Sequence, residues 1–305
     1  MKKKIVTIGG GTGQYTLLRG LKNYDVEIMA LVSMMDDGGN TGQLRDEFGV
    51  LPAGDLRRCL IALSDESSIL RELFEYRFGD DCVGNRIIAA LQNIAGNEKY
   101  IQEISRILRI KGKVLPITIN ETTLYAETNK GRILEGQTQV SYSAQQDEKI
   151  ARIWLSPRAF IFNQAAESLR EADLIVISPG DLYGSILSSL IVEGFKEAIS
   201  ETKAKIIYVC NLVTKQGTNN FKVSDFVREI ELYLGRKLDY IVCNTKKPSS
   251  EIVDKYIWEN SSFVEIDSED ARIIKSDLLL EQKSDGRTIA RHDIEKVSRI
   301  IMELI

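Results

Sequence analysis

The chain has 305 residues, 43% of them hydrophobic and 28% charged, the balance of a globular protein that can bury a sizeable core without staples. With 40 basic and 44 acidic residues the net charge is −4, so no global basic field draws in nucleic acid, and the run Lys2-Lys3-Lys4 is too short for a nucleic-acid tail. The single histidine, His292, excludes a multi-histidine metal site within one chain and leaves acid–base chemistry to Asp, Glu, Lys or Tyr.

Residues 4–8 form a short β-branched run that reads as a buried parallel strand. Gly9-Gly10-Gly11-Thr12-Gly13 follows at once, then a helix over 15–21 and a second strand over 26–32. The second strand ends in Asp36-Asp37-Gly38-Gly39-Asn40-Thr41-Gly42, another glycine-rich loop. This strand–loop–helix–strand order opens a doubly wound α/β sheet.

Apolar residues three and four apart predict helices over 55–63, 67–76, 85–95 and 100–108. Four extended pieces, 114–119, 123–128, 137–142 and 151–155, suggest a small antiparallel β unit. The parallel pattern resumes with strands at 174–177, 206–210 and 240–243 and helices at 186–199, 224–234 and 251–258. A last helix starts near Asp293, with Ile294, Val297, Ile300, Ile301 and Leu304 on the face that packs on the sheet; a homodimer contact is the other use of that face. We expect a single domain over residues 1–305, its mostly parallel sheet interrupted by a helical and β insertion at about 55–155.

Cys59, Cys82, Cys210 and Cys243 form no Cys-x-x-Cys pair and read as reduced thiols, with no structural zinc. No apolar run approaches the roughly 18 residues of a membrane span. The first residues lack a signal-peptide core, so a cytoplasmic protein is expected.

Glycines after a first strand let the backbone turn sharply and approach a pyrophosphate, while the helix N-terminus offers free N–H groups to the anion. Gly10, Gly11, Thr12 and Gly13 are the cradle candidates. As a dinucleotide fingerprint the loop is imperfect, because Gln14 stands where a third glycine is expected, and no Gly-Lys-Ser/Thr follows. An empty strand-to-helix turn remains the plain alternative.

Asp36 and Asp37 stand about twenty residues beyond the glycines, where a dinucleotide fold places its ribose-binding carboxylate. Gly38, Gly39 and Asn40 would add a second backbone wall. Further segments sit at predicted strand or helix ends: Gly54-Asp55-Leu56-Arg57-Arg58, Ser178-Pro179-Gly180-Asp181-Leu182-Tyr183-Gly184-Ser185, and Asn211 with Thr214 behind it. Ligands of open α/β sheets bind outside the carboxyl ends of the strands, so these segments together predict one cleft. Paired carboxylates beside phosphates could also hold Mg²⁺.

The segments Gly9–Gly13, 36–45, 52–57 and 178–183 resemble the gluconeogenesis factor (YvcK-like) family, which is related to 2-phospho-L-lactate transferase (CofD). Tyr76-Arg77-Phe78, Gly84-Asn85, Leu115-Pro116 and Arg291-His292-Asp293 match in the same order, so the resemblance spans nearly the whole chain. It implies a Rossmann-like domain with an added helical part, binding of a nucleotide or UDP-type nucleotide sugar, and a cytoplasmic role in cell shape and carbon metabolism. By the same resemblance Asn85 joins the ligand-binding set. The related transferase moves a phospholactyl group from a guanosine diphosphate derivative with Mg²⁺, and its acceptor-side aspartate is similar to Asp55. Three positions depart from the family pattern: Asp81, Asp181 and Thr218.

The leading expectation is a nucleotide-sugar-binding regulatory protein, with Mg²⁺ at Asp55 as its one cofactor candidate. Gly10–Gly13 would cradle phosphate, Asp36 or Asp37 would take ribose or base, and Pro179, Gly180, Leu182, Tyr183 and Ser185 would close the far side. The alternative is a Mg²⁺-dependent transferase in which Asp55 orients acceptor or metal and Arg57 stabilises charge. A nicotinamide oxidoreductase is the third reading, weakened by Gln14.

Overall fold

The computed structural model describes residues 2–64, 69–142, 148–258, 260–284 and 287–305. In chain order it begins with β1 (Lys4–Gly9), α1 (Gly11–Leu21), β2 (Glu27–Val32), α2 (Gly39–Phe48), α3 (Gly54–Leu63) and α4 (Ile69–Glu75). The two-residue strands β3 (Arg77–Phe78) and β4 (Asp81–Cys82) make a small hairpin, followed by α5 (Val83–Ala95), α6 (Tyr100–Leu108) and β5 (Lys113–Pro116). An antiparallel unit comes next, β6 (Thr123–Thr128), β7 (Ile133–Glu135), α7 (Gln137–Tyr142) and β8 (Ile150–Ser156). The second half runs α8 (Asn163–Arg170), β9 (Leu174–Ile177), a π-helical turn (Leu182–Leu187), α9 (Ser188–Leu190), α10 (Phe195–Glu201), β10 (Lys205–Val209) and α11 (Val223–Leu234). It ends with β11 (Tyr240–Asn244), α12 (Ser250–Trp258), β12 (Ile273–Ser276), the hairpin β13 (Leu279–Ser284) and β14 (Arg287–His292), and α13 (Ile294–Glu303).

Seven strands form one parallel sheet in the order β12-β11-β10-β9-β1-β2-β5. From β1 the chain winds one way through β2 and β5; from β9 it winds the other way through β10, β11 and β12. The switch of direction therefore falls between β1 and β9, and the loops leaving these two neighbours diverge there. That is where an open α/β sheet leaves a crevice.

Both faces of the sheet are covered, which is why its strands read as continuous apolar runs. Val6, Ile8, Leu31, Ile175 and Ile177 pack into one core, and Ile5, Ala30, Val32 and Val176 join Leu18, Leu21, Leu56 and Leu60 in the other. Each fully buried Leu or Ile is worth about 1.5–3 kcal/mol relative to exposure. The four cysteines are free and buried.

Gln14 explains why the third fingerprint glycine is missing. Its side chain is buried, and Nε2 donates to Thr7 Oγ1 at 3.1 Å and to the Leu31 carbonyl at 3.0 Å, tying α1 to β1 and β2. An amide fastener replaces close glycine packing between helix and sheet.

Several sequence expectations change. Residues 137–142 are helical, not extended: Gly136 turns the chain at φ +84°, and Asp37 Oδ1 accepts from Thr138 N at 2.8 Å, capping the turn from afar. The strand expected at 114–119 is β5, an edge of the parallel sheet rather than part of the antiparallel unit. The loop after Asp37 becomes a helix at Gly39. The long helix expected over 186–199 is broken, with Gly194 at φ +90° restarting it as α10. α8, β12 and the β13–β14 hairpin had not been expected. Of the helix expected at 67–76, residues 67 and 68 lie outside the described residues, 69–75 are α4, and Tyr76 lies just past its end. The last helix is capped as its sequence suggests, Asp293 Oδ1 accepting from Lys296 N.

Candidate functional site

A cleft of about 810 Å³ opens at the switch point, walled by the loops that follow β1, β2, β9 and β10 and by the start of α3. Its glycines serve two different purposes. A Cβ on Gly13 would fall inside the Pro179 carbonyl oxygen, one on Gly10 would fall on Asp55 Oδ2, and one on Gly54 would fall on Asp36 Oδ2. These three let the loops close on one another. Gly11 (φ +61°) and Gly39 (φ +47°) meet no heavy atom closer than 3.8 Å, and Gly180 none closer than 3.9 Å, so these leave room for a ligand.

The floor is acidic. Asp55 lies at the first turn of α3, its carboxyl pushed up to about 6 by burial and then by Asp36, against the pull of Arg58 and the Gly11 N–H. Burial also raises Asp36, although its Oδ1 accepts from Gly38 N at 3.1 Å. Two crowded carboxyls of raised pKa hold protons, or a cation, better than free ones do.

The walls are basic. Arg57 is buried at 7% exposure, with Nε donating to Asn85 Oδ1 at 2.9 Å and Nη1 to the Phe74 carbonyl at 3.1 Å. Arg58 Nη1 donates to Thr12 Oγ1 at 3.0 Å, and Arg77 Nη1 to the Asp80 carbonyl. Lys215 sits over the Tyr142 ring, and Arg291 comes from the end of β14. None of these five cations makes an ion pair with a carboxylate among the described residues. A buried guanidinium left without a counter-ion favours an anion beside it.

Asn85 and Asn211 position other groups. Asn85 Nδ2 donates to Asn40 Oδ1 at 3.1 Å, and Asn40 Nδ2 donates to Asp81 Oδ1 at 2.8 Å. The departure at Asp81 thus anchors the N-terminal turn of α2. Asn211 brackets Gly180, donating to its carbonyl at 2.7 Å and accepting from its N–H at 3.2 Å. Asp181 turns Oδ1 back to accept from Gly184 N at 2.9 Å, capping its own helical turn while still lining the cleft. Thr218, the third departure, is buried and turns its hydroxyl onto Lys215 of its own loop. Burial lowers the His292 imidazole to about 4. It is therefore neutral, and Nε2 donates to the Cys210 carbonyl at 3.0 Å.

Of the residues singled out from sequence, Gly10, Gly11, Thr12, Gly13, Asp36, Gly38, Gly39, Asn40, Gly54, Asp55, Arg57, Asn85, Pro179, Gly180, Ser185 and Asn211 share this one cleft. Four do not line it. Asp37 is spent on Thr138, Leu182 is buried in the core, Tyr183 hydrogen-bonds Glu229, and Thr214 pairs with Ser262. Among the wall residues, Arg77 lies in Tyr76-Arg77-Phe78 and Lys215 in the stretch behind Asn211, segments that the sequence singles out without assigning those two side chains to the site, and Tyr142 ends a segment expected to be extended.

No group of three or more His, Cys, Asp or Glu side chains that could hold a metal occurs among the described residues. Mg²⁺ commonly takes one or two carboxylates and completes its shell with waters and ligand phosphates, and Asp36 with Asp55 fit that pattern. Among the described residues no helix is long and apolar enough to cross a membrane.

Comparison with known proteins matches residues 5–282 to the family model of 2-phospho-L-lactate transferase CofD. The chain belongs to this family. Within it, a putative gluconeogenesis factor of Thermotoga maritima is 41% identical over 310 residues, covering 98% of both chains. The gluconeogenesis factor of Bacillus subtilis is 36% identical over 318 residues, covering 100% of this chain and 98% of that one. A crystal structure of a Bacillus halodurans protein superposes with a TM-score of 0.93 at 36% identity, covering 99% of this chain and 100% of that one. The α/β architecture of this CofD-family member is thus shared along its whole length.

Proposed function

We propose that the chain is a regulatory protein that binds a nucleotide diphosphate sugar of the UDP-sugar type in the switch-point cleft, acting in carbon metabolism and cell shape. The observation that carries this reading is Arg57, a buried cation on the cleft wall without a carboxylate partner. The diphosphate would lie between Gly11 and Gly180, within reach of Arg57 and Arg58. Asp36 and Asn40 would accept and donate hydrogen bonds to hydroxyls. The names of the relatives, gluconeogenesis factors, agree with a role in carbon metabolism. Titration calorimetry with UDP-N-acetylglucosamine, UDP-glucose, GDP and NAD tests it: a UDP-sugar should bind most tightly, and binding of none of them would refute it.

A second reading, a transferase of phosphate-ester groups, is favoured by Asp55, a buried cleft carboxyl whose pKa is raised to about 6, within the range suited to a general base. An acceptor hydroxyl would form its new bond to phosphorus as the bond to the leaving nucleotide breaks, and Asp55 would take the hydroxyl proton. Mg²⁺ held by Asp36 and the phosphates, beside Asp55, would neutralise charge. If Asp55→Asn keeps binding but abolishes a measured turnover, the transferase stands; absence of turnover with any nucleotide diphosphate donor removes it.

A further inference from the structure

A second, larger hollow lies beside the first. It is bounded by the outer face of α1, the loop after α6, the β13–β14 hairpin and α13, and encloses about 1170 Å³. Thr12, Thr16, Arg291 and His292 line both hollows and form the wall between them.

Its charge is lopsided. Arg19, Lys22, Arg109, Lys111, Arg291 and Arg299 line it, against the single carboxylate of Glu295 among its described lining residues. The whole chain carries a net charge of −4, so this concentration of cations is local and opposite in sign. Arg109, Lys111, Arg291 and Arg299 make no ion pair with any described carboxylate. Elsewhere cations are routinely paired, as Lys4 is with Glu171, Arg86 with Asp81 and Arg272 with Asp270. Ser298, on the lining face of α13, has a buried Oγ without a hydrogen-bond partner among the described residues. Self-repelling cations around one hollow cost stability unless an anion relieves them.

We infer that this trough is a second binding site, for a small polyanion carrying several phosphate or carboxylate groups, next to and separate from the nucleotide cleft. The hollow exceeds the size of a single-phosphate pocket. Its cations come from four different elements, which suits a ligand whose charges point in several directions. Arginine forks match phosphate and carboxylate oxygens equally, so the geometry names the shared chemistry.

The test is titration of the full chain with inorganic tripolyphosphate and, separately, citrate. It compares the wild type, the double variant Arg109→Glu/Lys111→Glu, Arg299→Glu, and Arg57→Lys in the other cleft. Arg109, Lys111 and Arg299 are exposed, and circular dichroism checks that the variants fold. At least one of the two probes should bind the wild type, weaken tenfold or more in both charge-reversal variants, and be unchanged in Arg57→Lys. Whichever probe binds more tightly tells phosphate from carboxylate. Binding insensitive to the charge reversals, binding lost in Arg57→Lys, or no binding of either probe would overturn the site. An acidic peptide or single-stranded oligonucleotide that outcompetes both probes in the trough would overturn the small-ligand assignment. Retention of UDP-sugar binding by Arg109→Glu/Lys111→Glu is expected. Failure of every nucleotide to bind, with the polyanion pattern intact, would refute only the nucleotide reading.

Discussion

The carboxylate of Asp55 occupies the space into which any side chain at Gly10 would project. The glycine loop and the start of α3 are therefore built against each other, and a titratable group stands where the loop would meet a phosphate.

Asp55 makes both stability and affinity depend on pH. Its folded value of about 6 lies above the ordinary 3.8, so the folded state binds the proton more tightly. That contribution is fully present below about pH 3.8 and is lost as pH rises through about 6. At pH 7.5, Asp55→Asn should stabilise the fold by on the order of 2 kcal/mol, read by urea denaturation. Metal-free binding of a nucleotide diphosphate should tighten between pH 7.5 and 6 in the wild type, with proton uptake, and lose that dependence in the variant.

The two classes of glycine should separate on substitution. Gly13→Ala drives a methyl group into the Pro179 carbonyl, so we expect a loss of about 2–4 kcal/mol in chemical denaturation and weakened ligand binding. Gly39→Ala meets open space and bears only its φ of +47°, a cost of about 1 kcal/mol. Equal losses at both positions would contradict the loop-closure account.

Asn211 holds Gly180 through both ends of its amide. Asn211→Ala should destabilise the fold by about 1–2 kcal/mol and slacken the Pro179–Gly180 wall, lowering nucleotide affinity without touching the ligand. Asn211→Asp keeps only the acceptor half of the bracket and should be intermediate in a thermal melt.

Asp181→Asn preserves the cap on Gly184 and removes one negative charge from the cleft. Calorimetry should show several-fold tighter binding of a metal-free diphosphate, with the melting temperature little changed.

Much of this was legible in the sequence because it is local. The β-branched run 4–8, the glycines after it and the apolar spacing of α3, α6 and α13 each announce their own element. Asp37 and Gln137 could not be read that way: the helix at Gln137–Tyr142 depends on a carboxylate one hundred residues earlier, supplied by tertiary packing. Tyr183 sits in a motif beside cleft residues, yet the π-helical turn carries it into the core toward Glu229. Arg77 and Lys215 stand in segments that the sequence singles out, but nothing local says that their side chains reach the cleft. Gln14, a blemish as a fingerprint residue, proves to be the fastener between α1 and the sheet.

Arg57 carries the central claim, and Arg57→Lys tests it most directly. Lysine retains a positive charge but cannot span both Asn85 Oδ1 and the Phe74 carbonyl while facing the ligand. In titration calorimetry of wild type and variant with UDP-N-acetylglucosamine, confirmed folded by melting, the wild type should bind and the variant should bind at least tenfold more weakly. Unchanged affinity in the variant would contradict an anion bound at Arg57, and no binding by the wild type to any UDP-sugar would contradict the nucleotide-sugar reading.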